Sequence, residues 1–146
     1  MSRLGAYLWA APATLLGVLA ILVAWASGGS VRVVDGVIEA CGGWPARLLQ
    51  AGFPFSGAVA ALTLGHVVLG VSTDALDATR AHERVHVRQF ERWGVLLLVM
   101  YPLAGLVAWR RGGHPYRDNR FEREAQAAAP AACGRAESAG IQSTGR

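Results

Sequence analysis

A run of 22 almost entirely apolar residues, Leu4 to Trp25, constrains the fold of this chain most strongly. As a helix it would be about 33 Å long, enough to cross the hydrocarbon core of a bilayer. Arg3 precedes the run, and Pro12 is expected near the helix start, where a proline costs least. We predict that residues 1–28 form an uncleaved membrane anchor. Two alternatives are a cleaved signal segment, with Ala24-Trp25-Ala26 as the peptidase site, and a buried or interfacial helix.

The composition also indicates a membrane-associated protein of one domain. The chain has 146 residues, 53% of them hydrophobic, and its 14 basic residues are all arginine. Its net charge of +4 suits anionic membrane lipid, and the arginines are not interleaved with aromatic residues as in nucleic-acid binders. We therefore expect a lipid partner and no nucleic-acid partner. Cys41 and Cys133 lack the spacing of zinc ligands and are expected to be free thiols, with a disulfide between them, outside a reducing cytosol, as the alternative.

Strand signals follow the first apolar run. Two β-branched stretches, Val31–Val34 and Val37–Ala40, flank Asp35-Gly36, and this pattern predicts a hairpin with a type I′ turn. Pro45 favours a short helix over Trp44 to Gln50. Thr63 to Val71 is rich in Leu and Val and predicts a third strand, although a buried helical segment would give the same pattern.

The next element is an amphipathic helix from Asp74, its expected N-cap, to about Trp93. Asp77 is expected in its first turn, and Gly94 is expected to interrupt it. Apolar and histidine side chains share one face at helical spacing: Leu76, His82, Val85, His86, Phe90 and Trp93. A second face carries an arginine every fourth residue: Arg80, Arg84, Arg88 and Arg92. We interpret these arginines as a solvated face, with contact to lipid phosphates as the alternative.

This helix contains the sequence His82-Glu83-Arg84-Val85-His86, an H-E-x-x-H pattern. Residues four apart lie one helical turn apart on the same face, so both imidazoles can bind one ion. Zinc suits imidazole ligands and lowers the pKa of bound water. Glu83 would lie beside the metal without binding it, where a carboxylate can accept a proton from that water.

A catalytic zinc needs a third protein ligand, and four downstream residues are candidates: His114, Asp118, Glu122 and Glu124. Asn119 is expected to cap a last helix that carries the two glutamates. Between the motif and that helix lies a second apolar run, Val95 to Trp109, which is short for a membrane span and contains Pro102. If this run crossed a bilayer, Glu122 would face the opposite side from the histidines. We therefore expect it to pack under the motif helix, to lie in the interface, or to dip in and return.

The pattern HERVH followed by Glu122-Arg123-Glu124-Ala125-Gln126 resembles the gluzincin zinc metallopeptidases, and in particular their membrane-associated branch, whose second motif is E-x-x-A-D. The resemblance covers Asp74 to Ala129 and is closest to minimal, minigluzincin-like forms. It implies that Glu122 is the third ligand and that the fold is a zincin-like mini-domain. Gln126 replaces the family's Asp, so the hydrogen bond that orients a ligand histidine would be weaker or absent. Glu124 is the alternative ligand, or the substitute for that hydrogen bond.

These observations predict an α+β fold with three parts. Residues 1–28 are the apolar helix, residues 29–129 form the mini-domain with two motif helices and a small antiparallel sheet, and residues 130–146 are a disordered tail. The predicted function is zinc-dependent hydrolysis of a peptide or protein substrate at or near a membrane, with Glu83 as the general base. Tyr101 or Tyr116 is expected to stabilise an oxyanion.

Other interpretations of the histidines stay open from sequence. The chain could be a non-catalytic zinc-binding membrane protein that uses a degenerate peptidase fold as a binding module. It could also be a helical membrane protein whose histidines bind haem or nothing. His66, flanked by glycines, and His114, before a proline, are expected to have structural roles.

Overall fold

A computed structural model describes residues 3–54 and 56–128, so the predicted disordered tail and Cys133 lie outside the described residues. Its elements are α1 (Arg3–Ala26), β1 (Ser30–Val34), β2 (Val37–Cys41), α2 (Gly43–Ala51), β3 (Ala61–Leu64), β4 (Val67–Gly70), α3 (Thr73–Trp93), a 3-10 turn (Gly94–Leu96), α4 (Leu97–Arg110) and α5 (Arg120–Ala128). The α+β architecture with an N-terminal apolar helix is confirmed.

The first hairpin forms as predicted. Strands β1 and β2 pair antiparallel, with Val34 opposite Val37 across the Asp35-Gly36 turn. Asp35 has φ 49° and Gly36 has φ 79°. Both values are positive, as a type I′ turn requires, and this turn matches the right-handed twist of the strands it joins.

The prediction of one strand over Thr63 to Val71 is wrong, because the segment folds as a second hairpin of β3 and β4. Gly65 turns the chain with φ 63°, a backbone conformation that favours glycine at the first position of a two-residue loop. A Cβ at Gly65 would also lie 2.2 Å from the Thr14 hydroxyl of α1. The sequence signal was present in the Gly65-His66 pair, but the surrounding apolar residues made the segment look continuous.

The sheet is mixed and not antiparallel as predicted. Its order is β1-β2-β4-β3, and the central pair β2 and β4 is parallel. Strand β3 starts at the end of the sheet where β2 finishes and runs antiparallel to β4, so it carries the chain back and β4 can run in the same direction as β2. Strand β3 is consequently an edge strand, and it lies beside the candidate site described below.

Helices cover both faces of the sheet. On one face, Ile21 and Ala24 of α1 pack with Leu49 of α2 and with Val67 and Leu69 of β4. On the other face, Leu76 and Val87 of α3 pack against Val37 and Val68. Alternate residues of β4 therefore serve opposite layers, which explains why its four residues are all buried.

Helix α1 belongs to this core and is not a free-standing segment. Its inward stripe is made of small residues, and a Cβ at Gly17 would lie 2.6 Å from the Val67 Cβ. Pro12 lies inside the helix and not near its start, because the helix already begins at Arg3. By length and composition, Leu4–Ala26 and Thr73–Arg110 would each be long and apolar enough to cross a membrane. The N-terminal helix is thus compatible with an anchor or a signal sequence.

The N-cap of helix α3 lies two residues earlier in the chain than predicted. Ser72, not Asp74, is the N-cap, and its hydroxyl accepts a hydrogen bond from the Ala75 N–H at 3.1 Å. Asp74 lies in the first turn, where its charge complements the helix dipole. The helix ends at Trp93 as predicted, because Gly94 adopts φ 59° against the ring of Trp9.

The four arginines of α3 divide into two pairs. Arg80 donates two hydrogen bonds to the buried carboxylate of Glu39, and Arg84 donates to the Val34 carbonyl. Arg88 and Arg92 are exposed. The predicted solvated face is therefore half occupied by the first hairpin, whose Glu39 carboxylate was not anticipated from sequence.

Candidate metal centre

Two helices bring three side chains with metal-binding atoms together. His82 and His86 project from adjacent turns of α3, and Glu122 projects from the first turn of α5. One ligand atom from each of the three residues lies within 4.8 Å of the other two. This is the ligand set that the sequence predicted.

Local packing fixes the position of Glu122. Asn119, fully buried, caps α5 as predicted by accepting a hydrogen bond from the Phe121 N–H at 3.0 Å. Its amide nitrogen donates to the Tyr101 carbonyl of α4 at 2.9 Å. Phe121 then packs with Phe90 of α3. The start of α5 is thereby held against both α3 and α4, and Glu122 faces the histidines.

The donor atoms of this cluster suit a cation. The Nε2 atoms of His82 and His86 lie 3.1 Å apart, and the Glu122 carboxylate oxygens lie 3.2 Å from each of them. The buried Oε2 atom of Glu122 lacks a hydrogen-bond partner of good geometry. Two ring nitrogens and an unsatisfied carboxylate oxygen directed at one point are the nitrogen and oxygen donors that zinc binds.

The second ligand histidine is oriented by a residue that sequence reasoning missed. His86 Nδ1 lies 2.9 Å from the Oε1 atom of Gln89, and the Gln89 amide nitrogen donates to the Phe121 carbonyl and to Glu124. Because two acceptors face that nitrogen, the amide oxygen must face His86. His86 therefore carries its proton on Nδ1 and directs the lone pair of Nε2 into the cluster.

This network shows how the glutamates and Gln126 of α5 are placed relative to His86. Gln126 is exposed, and Glu124 acts on His86 indirectly, through a hydrogen bond of 3.0 Å from Gln89. The structure thus brings Glu122, and not Glu124, among the possible ligand atoms. Gln89 follows His86 by three residues, and that helical spacing was the available signal.

Glu83 lies beside the cluster in a buried position. The Thr63 hydroxyl of edge strand β3 donates a hydrogen bond of 2.7 Å to its Oε2 atom. Burial raises the pKa of Glu83, although the nearby His86 and the Thr63 hydrogen bond oppose the shift. A carboxylate whose pKa is moved towards neutrality is suited to accepting and returning a proton. Thr63 was known only as a strand residue from the sequence.

The ligand groups themselves carry opposing shifts. Burial alone would raise the pKa of Glu122, but hydrogen bonds to His82, His86 and Tyr101 outweigh it and lower the pKa. Burial alone would lower the pKa of His86, but its contact with Glu122 outweighs it and raises the pKa. Without a metal, the carboxylate and a protonated imidazole thus stabilise each other.

The two tyrosines predicted as oxyanion partners differ in their contacts. Tyr101 donates a hydrogen bond of 2.5 Å to Oε1 of Glu122, so its hydroxyl is already engaged with a ligand. Tyr116 lines the same cleft, where burial, followed by the negative charges of Glu122 and Glu83 and, least, a hydrogen bond with Glu122, raises the pKa of its hydroxyl. Tyr116 therefore keeps its proton and is the better candidate donor to a substrate oxygen.

The remaining candidates lie outside the cluster. His114 and Asp118 shape the turn before α5: His114 Nδ1 accepts from two backbone N–H groups, and Asp118 accepts from the His114 N–H. His66 is buried, stacks on Tyr7 and contacts Glu91 at 3.1 Å. Neither histidine belongs to the group that could hold a metal.

A cleft of about 590 Å³ lies over the cluster. Edge strand β3 forms one wall, and α4 forms the other through residues that include Leu98, Pro102 and Trp109. Among the described residues β3 pairs only with β4, so one edge of the strand has no strand partner, and its residues line the cleft. An extended chain could pair with this edge.

Comparison with known proteins adds no identification. No family, curated protein or solved structure matches this chain.

Proposed function

We propose that this protein is a zinc-dependent peptidase that acts at or near a membrane. The observation that carries the proposal is the convergence of His82, His86 and Glu122, with the carboxylate of Glu83 buried next to them. Three protein ligands leave the fourth coordination position of zinc open, which is the arrangement of catalytic sites and not of closed structural ones. The gluzincin resemblance of HERVH and Glu122 points to the same chemistry.

Each residue has a defined part in this mechanism. His82, His86 and Glu122 would hold the ion, which polarises the scissile carbonyl and lowers the pKa of water when bound. Glu83 accepts a proton from the attacking water and returns it to the leaving amine. The Thr63 hydroxyl holds Glu83 in place. Tyr116 donates a hydrogen bond to the carbonyl oxygen as charge develops on it.

The substrate is an extended polypeptide. A peptide added to the outer edge of β3 would place its main chain across the cleft, next to Glu83, whose hydrogen-bond partner Thr63 lies on that same strand. The chain would be attached to the membrane through α1, whose outward face is apolar.

The proposal is tested with Glu83→Gln in the full chain. The variant should bind as much zinc as wild type, because Glu83 is not a ligand, and it should cleave casein or a mixed peptide library about 100- to 10,000-fold more slowly. Glu91→Gln, on the same helix but paired with His66, is the matched control and should retain activity.

Full activity in Glu83→Gln would remove Glu83 from the mechanism. Stoichiometric zinc in wild type without hydrolysis of any peptide in the library would instead identify a non-catalytic zinc-binding protein, the second function that the sequence allowed.

A further inference from the structure

Helix α1 buries mainly small residues and exposes large apolar ones, the opposite of a helix in a water-soluble protein. Small residues, Ala10, Ala13 and Gly17, face the core, while most of the large apolar residues face outward, with Ile21 the buried exception among the described residues of the helix. Leu8 and Leu15 are 67% and 64% exposed. In water, large apolar side chains are normally the buried ones, so this arrangement leaves most of the helix's hydrophobic surface uncovered.

Helix α4 repeats the arrangement. Gly105 and Ala108 are buried, and a Cβ at Gly105 would lie 2.8 Å from the Pro115 carbonyl oxygen. Val99 and Leu103 face outward and are 59% and 52% exposed. Close packing through small residues with large apolar residues outside is typical of helices that contact lipid.

The two outward faces meet and continue into the cleft. The Trp9 ring of α1 lies against Gly94, directly before the exposed residues Val95 and Leu96. At the other end of α4, Trp109 is 59% exposed and also lines the cleft. One apolar surface therefore runs from α1 over α4 to the mouth of the candidate site; we call it the α1–α4 surface.

The chemistry around the α1–α4 surface indicates its occupant. Exposed Trp25 and Trp109 lie near the C-terminal ends of α1 and α4, and exposed Arg110 and Arg111 follow Trp109. Tryptophan and arginine at the limits of an apolar surface suit lipid headgroups, and the arginines suit anionic ones. A folded protein partner would not require this boundary.

We propose that a bilayer containing anionic lipid covers the α1–α4 surface, with the protein seated on one leaflet and the cleft opening at the bilayer. Helix α1 does not cross the bilayer alone, because its inner face is packed against Val67 and Leu49. The ion pair of the buried Glu39 with Arg80 lies on the opposite face of the sheet, away from the α1–α4 surface.

This arrangement, which rests on the proposed peptidase function for its last step, also defines the substrate class. Among the described residues that line the cleft, the charged side chains belong to the candidate centre, and the other lining is mostly apolar. The substrate would be an uncharged, apolar segment of a membrane-bound polypeptide that enters the cleft from the lipid side.

Vesicle flotation tests whether the α1–α4 surface binds a bilayer. The full chain, exchanged from detergent, is mixed with vesicles of phosphatidylcholine and phosphatidylglycerol. Wild type should float with the vesicles, and Leu103→Glu should lower the partition coefficient about tenfold or more. Ala78→Glu adds the same charge at an exposed position of α3 and should partition as wild type does.

The position of the cleft relative to the bilayer is tested with a polarity-sensitive dye. The dye is attached to single cysteines introduced into a chain that also carries Cys41→Ser and Cys133→Ser. Leu106 lines the cleft, whereas Val99 lies on the α1–α4 surface outside it. The emission of dye at Val99→Cys and at Leu106→Cys should shift to shorter wavelength when vesicles are added. Dye at Ala78→Cys should not shift.

Four results would overturn the proposal. Equal flotation of wild type and Leu103→Glu would mean that α1 alone attaches the protein to the vesicles. A wild-type monomer that stays in solution without vesicles would mean that no bilayer covers the α1–α4 surface. A dimer in solution that Leu103→Glu dissociates would mean that a second copy covers the surface. A blue shift at Val99 without one at Leu106 would turn the cleft away from lipid. Zinc content, measured on the same samples, reports separately on the peptidase proposal.

Discussion

At the scale of single residues, the H-E-x-x-H spacing predicted that His82 and His86 share one face of a helix, but not what holds them. Glu122 was one of four candidate third ligands, and it was the gluzincin resemblance that singled it out; the structure places it beside the two histidines. The sequence analysis did not name Gln89, although Gln89 follows His86 at helical spacing, and it did not name Thr63, because a hydroxyl on a distant strand leaves no signal in the spacing. Their roles become visible only when α5 and β3 are placed against α3.

Replacing Gln89 tests whether it orients the metal site. Gln89→Leu should weaken zinc binding about 10- to 100-fold, because His86 loses the acceptor for its Nδ1 proton. Gln89→Glu keeps that acceptor and should recover most of the affinity. Gln126→Leu, at an exposed position of α5, is the matched control and should bind zinc as wild type does. Competition with a chromophoric chelator measures all three, and equal affinities would exclude the orienting role.

At the scale of elements, the sequence predicted the helices and the first hairpin better than the sheet. The Asp35-Gly36 turn is local chemistry and could be recognised directly. The parallel pairing of β2 with β4 depends on β3 running back along the sheet and lying outside β4, which is a property of the assembled sheet. The role of α1 was likewise hidden, because a uniformly apolar helix shows no stripe until its small residues meet a partner.

Substitution of Gly17 tests whether α1 is a core helix. In most helices Gly→Ala stabilises by up to about 1 kcal/mol, but here the new Cβ would lie 2.6 Å from the Val67 Cβ. Gly17→Ala should therefore destabilise the protein by roughly 1–3 kcal/mol. Leu16→Ala, on the exposed face, should change stability little. Thermal unfolding in detergent compares them, and a stabilised Gly17→Ala variant would show that α1 is not packed on the sheet.

The contact between the first hairpin and α3 should make stability depend on pH. Burial alone would raise the pKa of Glu39, but hydrogen bonds from Arg80 and Arg32 hold it below its ordinary value of 4.5. A carboxylate with a lowered pKa in the folded state contributes stability that is complete above pH 4.5 and is lost as pH falls further.

Glu39→Gln should consequently be less stable than wild type at neutral pH by roughly 1–3 kcal/mol and should lose less stability on acidification. Unfolding midpoints measured from neutral to acid pH give both comparisons. Parallel pH profiles for the two proteins would mean that Glu39 does not contribute through its charge.

At the scale of the whole molecule, the candidate centre joins parts of the chain that are far apart in sequence. Glu122 follows His86 by 36 residues, and α4 between them packs without carrying Glu122 away from the histidines. The apolar run Val95 to Trp109 was expected not to separate Glu122 from the histidines, and the structure agrees with this expectation. What sequence could not supply is the joining of α1 and α4 into one apolar surface.

Metal bound at this centre would link α3 to α5. Zinc should therefore raise the unfolding midpoint of the full chain, and a chelator should lower it again, because an ion that binds only the folded state stabilises it. The Glu122→Ala variant should show no such shift. An unchanged midpoint in wild type with and without zinc would argue against an ion at this position.

The zinc content per chain of wild type, beside Glu122→Ala and the control Arg123→Ala, tests the central claim most directly. We predict about one zinc per chain in wild type and in Arg123→Ala, and a clear loss in Glu122→Ala. Zinc absent from wild type purified without chelator would contradict the metal centre and the peptidase function with it. Zinc retained equally in all three would contradict the assignment of Glu122 as the third ligand.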